Sequence, residues 1–238
     1  MISIIIAAYN EEKRIRPSLF KVKDYLIGLN MDYEIIVVDD GSTDRTGEVV
    51  KDLTPDIPNL KLIGYEINRG KGHALRKGVL ASRGEAVLLT DADLSTPIEE
   101  LSKLLPLIYD NKCDVAIGSR ALALSEIIEK QPWWRQSMGK LFNKIVKVLI
   151  VDDFRDTQCG FKVFSGDAAR NLFSQAQIDR FAYDVEILAL AKKKGYRILE
   201  VPIRWINSPE SKVNPFRDSL QMLCDLLRIR ATVGSAKK

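Results

Sequence analysis

Histidine is almost absent from this sequence of 238 residues: His73 is alone. Without a metal-ligand partner of its kind, it reads as a helix-face residue rather than a catalyst. Cysteine is scarce too, and Cys113, Cys159 and Cys224 are odd in number and widely spaced. Such spacing suggests neither a disulfide framework nor a zinc site and favours a reducing compartment. Long apolar runs are missing. The opening MISIIIAAYNEE turns polar within a few residues, short of a signal peptide. The stretch from Ile145 to Val151 is interrupted by Lys147 and stopped by Asp152-Asp153, far from the roughly 20 apolar residues of a spanning helix. Charge of one sign is lacking as well. The 36 basic and 32 acidic residues leave a net +4, too mild for a nucleic-acid partner. That balance suits an anionic ligand, or a membrane surface where basic residues cluster. There is no internal repeat, low-complexity tract or linker rich in Pro, Gly or Ser, so one domain over 1–238 is expected.

What is present is a chain that is 46% hydrophobic and 29% charged, long enough to bury a core. The first half alternates two periods. Ile2–Ala7, Glu34–Val38, Lys61–Gly64, Ala86–Thr90 and Val115–Gly118 are short β-rich runs, several apolar throughout, as strands buried on both faces require. Between them Glu11–Leu29, Thr43–Leu53, Gly72–Ala81 and Pro97–Tyr109 have helical spacing, with Ser95-Thr96 as a cap ahead of Pro97. This alternation predicts an α/β fold with a mostly parallel central sheet flanked by helices, and ligands beyond the carboxyl ends of the strands. In the second half, helices are expected over Trp133–Val151, Phe181–Lys193 and Pro215–Arg230, a short strand over Gln158–Phe164 and extended chain over Arg197–Trp205.

Polar motifs follow the strand runs. Asp91-Ala92-Asp93 places two carboxylates one residue apart at a strand end, able to share one cation. Magnesium or manganese bound this way completes its shell with water and substrate phosphates. The plain alternative is a turn whose aspartates cap the next helix. Asp39-Asp40-Gly41-Ser42-Thr43-Asp44 follows the second strand, where an acid serves base or ribose groups in nucleotide-binding α/β proteins. Thr43 or Asp44 as a helix cap explains the end of that motif, but two adjacent like charges need partners. Ala8-Tyr9-Asn10-Glu11-Glu12 offers Asn10 either as a cap or as a binding residue. Asn68-Arg69-Gly70-Lys71-Gly72-His73-Ala74 can cradle phosphate through backbone N–H groups, without the Walker pattern.

In this order the motifs resemble the signature of family 2 glycosyltransferases. Gly118-Ser119-Arg120, Arg155-Asp156-Thr157-Gln158-Cys159-Gly160-Phe161-Lys162, Arg180 to Glu186, and Trp205 with Ser211-Lys212-Val213 are similar to the dolichyl-phosphate β-glucosyltransferase branch. Dolichyl-phosphate mannosyltransferases share the plan with less of the wording. The resemblance runs from Ile2 to about Arg230. It departs at Ala7, where the family commonly has proline, and in lacking the N-terminal anchor usual in eukaryotic members of the branch. The expectation is a cytoplasmic protein, peripheral on the cytoplasmic membrane face.

The resemblance implies a GT-A fold, Rossmann-like, with 1–120 binding the donor and 121–238 the acceptor. Ala8, Tyr9, Asn10, Glu11 and Asp39 would surround the nucleoside, with Asp40 and Lys71 also on the donor side. Asp91, Ala92 and Asp93 would form the D-x-D element, Asp91 and Asp93 holding Mg²⁺ or Mn²⁺. Arg120, Arg135 and Lys212 would answer the phosphates of donor and acceptor. The expected reaction is inverting transfer of a hexose, first of all glucose from UDP-glucose, to a polyprenyl or dolichyl phosphate. GDP-mannose and UDP-N-acetylglucosamine remain alternative donors. A sugar-hydroxyl acceptor needs a general base, whereas a lipid phosphate is already anionic. Asp156 is the candidate base or acceptor-orienting residue, against simple pairing with Arg155 or Lys162. Apolar recurrence through Trp133, Trp134, Met138, Leu141, Phe142, Ile145 and Leu149, with Arg135 and lysines between, suits a membrane interface; packing on the sheet is the alternative for this helix and the last. A sugar-phosphate nucleotidyltransferase would carry a glycine-rich basic loop where this chain has A-Y-N-E-E, and a non-catalytic surface-binding module would not need Asp91 with Asp93.

Overall fold

Runs of isoleucine, valine and leucine form the centre of the molecule. The computed structural model describes residues 1–129, 133–207 and 215–234, and the side chains of 133–136, 140 and 215–218 also lie outside the description. In chain order, β1 (Ile2–Ala8), α1 (Ile15–Gly28), β2 (Tyr33–Asp40), α2 (Thr46–Asp52), β3 (Leu60–Tyr65), α3 (Lys71–Ala81), β4 (Ala86–Asp91), α4 (Leu101–Tyr109) and β5 (Val115–Ser119) alternate strand with helix. Then come β6 (Glu126–Ile127), α5 (Trp133–Leu149), β7 (Lys162–Ser165), α6 (Gly166–Gln175), α7 (Tyr183–Lys193), β8 (Ile198–Pro202), β9 (Arg204–Trp205) and α8 (Pro215–Thr232).

Seven strands make one sheet in the order β3-β2-β1-β4-β7-β5-β8. Every pairing is parallel except those of β7, which runs antiparallel to both β4 and β5. Side chains alternate across the pleat. Ile4, Ile6, Val37 and Leu88 therefore pack with α1 and α4, while Ile5, Val38, Val87 and Leu89 pack with α3, α6 and α7. Both faces are covered, so the strands are apolar throughout, as the mostly parallel sheet predicts.

The structure moves several expected boundaries. α1 starts at Ile15, not Glu11, because Asn10 has φ of 55° and turns the chain away from helix. Asn10 does not cap α1: its side-chain Oδ1 accepts the Thr43 N–H across 2.8 Å. Pro97 is not the first helical residue; its ψ of 144° leads into a short 3-10 turn over Ile98–Glu100 before α4. The expected strand over Gln158–Phe164 is confined to Lys162–Ser165, its first residues lining the loop at the sheet edge. α6 has no counterpart in the pattern, although Ser165 caps it by accepting the Ala168 N–H.

Packing of α3 on the sheet depends on Gly78, where an added Cβ would lie 2.4 Å from Ile5 Cγ2 and 3.0 Å from Val38 Cγ2. Alanine is the better helix former by about 1 kcal/mol. Overpacking a close-packed core costs about 1–3 kcal/mol, so Gly78→Ala is expected to lower stability on balance. A urea midpoint at or above that of the wild type would show that α3 moves off the sheet freely.

Candidate active site

Strand direction collects the polar motifs on one edge. The carboxyl ends of β1, β2, β4 and β5 meet there, with the amino end of antiparallel β7. Register places Ala8 beside Asp39, Ala7 beside Asp91, and Lys162 beside both Leu89 and Ile117.

The two loops nearest β1 and β2 hold each other. The Asn10 N–H donates to Ser42 Oγ at 2.9 Å, and the Glu11 N–H to Thr46 Oγ1 at 2.7 Å. Asp44 accepts the Thr46 N–H at 2.9 Å, ordering the start of α2. Asp39, partly exposed, accepts the Ser42 N–H at 3.0 Å. Its neighbour Asp40 is turned into the fold. The Asp40 carboxylate accepts from the Tyr65 hydroxyl at 2.7 Å, and from the Asn68 amide and the N–H groups of Arg69 and Gly70 at 2.9 Å each. Burial and this bond to Asp40 raise the Tyr65 pKa. The paired charges thus separate: Asp40 orders the loop entering α3, and Asp39 remains at the site.

Lys71, the first residue of α3, donates from Nζ to Asp91 Oδ1. Burial alone would depress the Lys71 pKa, but Asp91 and Asp184 outweigh it and raise it. Burial likewise pushes Asp91 up, and Lys71, helped by Lys162 and Arg120, outweighs it downward. Gly160 makes room for this carboxylate, since a Cβ there would sit 2.3 Å from Asp91 Oδ2. Asp93 accepts the Ser95 N–H at 3.0 Å and stands 3.8 Å from Arg14 Nη1. Arg14 in turn grips Glu11 through two bonds of 2.7 Å. Leu94 is in the left-handed region, with φ of 47°. Such backbone is costly for leucine, and strain of this kind gathers at functional turns. Neither aspartate of the D-x-D turn caps a helix.

Arg120 leaves β5 and meets Asp156 in a two-pronged pair, Nε to Oδ2 at 2.7 Å and Nη2 to Oδ1 at 2.9 Å. The Arg120 N–H also donates to Oδ2 at 3.0 Å. Asp156 therefore pairs with Arg120, not with Arg155 or Lys162. Burial opposes ionisation of Asp156, but Arg120 overrides it and holds the carboxyl at about 2. A carboxylate bonded on both oxygens to a guanidinium and held low is a weak proton acceptor. Glu200 fixes this loop, accepting the N–H groups of Arg155 at 3.0 Å and Asp156 at 2.8 Å.

Lys162, Asp184 and Tyr183, which the sequence placed within motifs without a site role, join the site, as does Glu200, which it did not single out. Lys162 is 1% exposed and donates to Asp184 and to the Cys159 carbonyl. Burial raises the Asp184 pKa, with Lys162 and Lys71 only partly offsetting it. The available signal was a lysine inside the apolar run F-K-V-F, a position that demands a buried acid. Ala8 and Ala92 are buried at the edge, and Tyr9 and Glu11 lie in the loop beside them. Arg135 belongs to α5, but its side chain, like all of Lys212, lies outside the described residues.

A mostly parallel sheet with an acidic D-x-D turn at its carboxyl edge defines the GT-A class of nucleotide-sugar transferase folds. The solved complex of Mycobacterium tuberculosis glucosyl-3-phosphoglycerate synthase with Mn²⁺, UDP-glucose and phosphoglyceric acid has the same fold, at TM-score 0.72 and 18% identity over 97% of this chain and 80% of that one. Residues 3–173 match the profile of Glycosyl transferase family 2, and the chain belongs to this family and is a glycosyltransferase. Dolichyl-phosphate beta-glucosyltransferase of Dictyostelium discoideum is 37% identical over 240 residues, covering 96% of this chain and 73% of that protein. The Homo sapiens protein of that name is 37% identical over 241 residues, covering 96% and 74%.

The Arg120–Asp156 pair sets a pH dependence. An acid whose folded pKa is depressed stabilises the fold above its unfolded value and loses that contribution as pH falls through the folded one. For Asp156 the window runs from about 4 down to about 2, and the contribution is on the order of 2 kcal/mol. Asp156→Asn is expected to be less stable at pH 7 by that order and to lose less between pH 5 and pH 2.5. Asp184, whose raised pKa acts in the opposite sense, is common to both proteins and cancels. Parallel curves of urea midpoint against pH would remove the ion pair from the account.

Proposed function

We propose that this chain transfers glucose from UDP-glucose to the phosphate of a dolichyl or other polyprenyl phosphate, with inversion at the anomeric carbon. The observation that carries the reading is the state of Asp156. A sugar hydroxyl must lose a proton to a base, and both oxygens of the residue expected as base are taken up by Arg120. A phosphate oxygen is already anionic and needs only cations to receive it. The relatives' printed activity, dolichyl-phosphate glucosylation, supports the same acceptor and sugar.

In this reading 1–238 act as one catalytic domain, 1–120 for the donor and 121–238 for the acceptor. Ala8, Tyr9, Asn10, Glu11 and Asp39 border the nucleoside, while Asp40 acts from behind by ordering the loop that delivers Lys71. Among the described residues no three metal-ligating side chains converge. The D-x-D pair still fits a hard divalent cation, because Mg²⁺ is commonly held by one or two carboxylates plus phosphate oxygens. Gly160 leaves the space at Asp91 free of a side chain, and the buried Tyr183 and Thr157 hydroxyls have no hydrogen-bond partner. Asp91 and Asp93 would hold Mg²⁺ or Mn²⁺, whose chemistry there is to offset charge on the leaving diphosphate. The acceptor phosphate oxygen attacks the anomeric carbon opposite the diphosphate, forming a C–O bond. The bond to the donor oxygen breaks, and its electron pair leaves with UDP. Arg120, oriented by Asp156, with Arg135 and Lys212, gathers the acceptor charge.

No described helix is long and apolar enough to cross a membrane. Leu141 and Val148 on α5 and Leu220 and Leu227 on α8 are each more than 60% exposed, which supports contact of these helices with the cytoplasmic face of a membrane that carries the acceptor.

Labelled UDP-glucose, GDP-mannose and UDP-N-acetylglucosamine, each offered with dolichyl phosphate, test the proposal. Label is expected in the lipid fraction from UDP-glucose with Mg²⁺ and not with EDTA. Label appearing only as free sugar would overturn the acceptor. Asp93→Ala is expected to lose transfer by about 10²–10³, the size of effect seen when one charge-stabilising group is removed, with the fold retained. Turnover at the wild-type rate in that variant would sink the metal assignment.

A further inference from the structure

Lys71 occupies the carboxylate that the donor's cation would need. Its ammonium donates to Asp91 Oδ1, so a divalent ion and the lysine compete for the same oxygen. The lysine backbone has little freedom to withdraw. Next to it the His73 N–H donates to the Asp179 carbonyl at 2.9 Å, and Arg76 donates to the Ala176 carbonyl at 2.9 Å and to Asp179 Oδ1 at 2.7 Å. These bonds tether α3 to the segment entering α7. The side chain alone can swing, over the Tyr183 ring whose centroid lies 5.9 Å from Nζ. Asp93 and Asp184 also act on the ammonium, helping to raise its pKa.

We propose that Lys71 is an exchange cation that makes divalent metal and nucleoside diphosphate bind as a pair. With the site empty, Lys71 neutralises Asp91 and keeps a lone divalent ion weakly bound. When diphosphate and metal enter together, Asp91 passes to the metal and the freed ammonium passes to a donor phosphate oxygen. Each ligand then removes a cost that the other would meet alone, which is a positive coupling between the two. No bond other than hydrogen bonds and metal–oxygen contacts is made or broken. The inference deepens the donor reading above and rests on it.

Mn²⁺ binding followed by the electron paramagnetic resonance of free Mn²⁺, at fixed neutral pH with and without UDP, reads the coupling directly. Wild type is expected to bind Mn²⁺ weakly alone and more tightly with UDP. Lys71→Met is expected to bind Mn²⁺ alone about tenfold more tightly and to lose most of the enhancement by UDP, within the usual range of coupling between sites. Lys71→Arg, which keeps the charge, is expected to resemble wild type and to show that the fold tolerates change at this position. Lys71→Met with unchanged Mn²⁺ affinity and full UDP enhancement would overturn the exchange and leave the donor reading standing. A wild type that binds UDP with no dependence on Mn²⁺ would overturn both.

Discussion

Acids gathered in a partly dry place must be matched by cations, and the active edge of this protein is arranged around that constraint. Asp91 meets Lys71, Asp156 meets Arg120 and Asp184 meets Lys162. Leaving a buried carboxylate without a partner costs several kcal/mol, so removing any one cation would disturb more than its own pair. The pairs differ in depth. Lys162 and Asp184 lie under the edge, while Lys71, Asp91 and Arg120 keep part of their side chains exposed and Asp156 is buried behind Arg120.

Ordering of the loops follows from the same economy of polar groups. Asp40 takes up donors from Tyr65, Asn68, Arg69 and Gly70, and so fixes the entrance to α3 and the position of Lys71. Glu200, on the far side of the sheet, plays the equivalent part for the loop carrying Asp156. Both acids work by holding backbone N–H groups, which leaves the residues they present free to face the site. At the D-x-D turn the left-handed Leu94 directly follows Asp93, whose carboxylate accepts the Ser95 N–H.

Much of this is legible in the sequence, for identifiable reasons. Strands buried on both faces leave continuous apolar runs, so β1 to β5 stand out with errors of a residue or two. The D-x-D turn and the loop with Asp39 are visible because charged residues directly after such a run need partners or ligands. Long-range pairing is not visible. Arg120 and Asp156 are 36 positions apart, and nothing in either neighbourhood names the other. The direction of β7 is equally hidden, since an antiparallel strand of four residues reads like a parallel one. Asn10 and Pro97 mislead because local propensity favours a helix start at each, while bonds from the β2 loop and a 3-10 turn decide otherwise.

The reversed β7 also sits in the sheet out of chain order, after β5 in sequence but between β4 and β5 in space. It is hydrogen-bonded on both flanks, between β4 and β5, and pairs Leu89 with Lys162 across a long stretch of chain. During synthesis, β3, β2, β1 and β4 can associate as soon as they emerge, but β4 then presents an open edge until 162–165 arrive. That edge ends in Asp91, whose charge discourages stray pairing with another chain. Closing the gap brings in Lys162 and the Gly160 loop together. The strand that fills the middle of the sheet thus carries Lys162 to the site, where it meets Asp184 of α7, a later element of the chain.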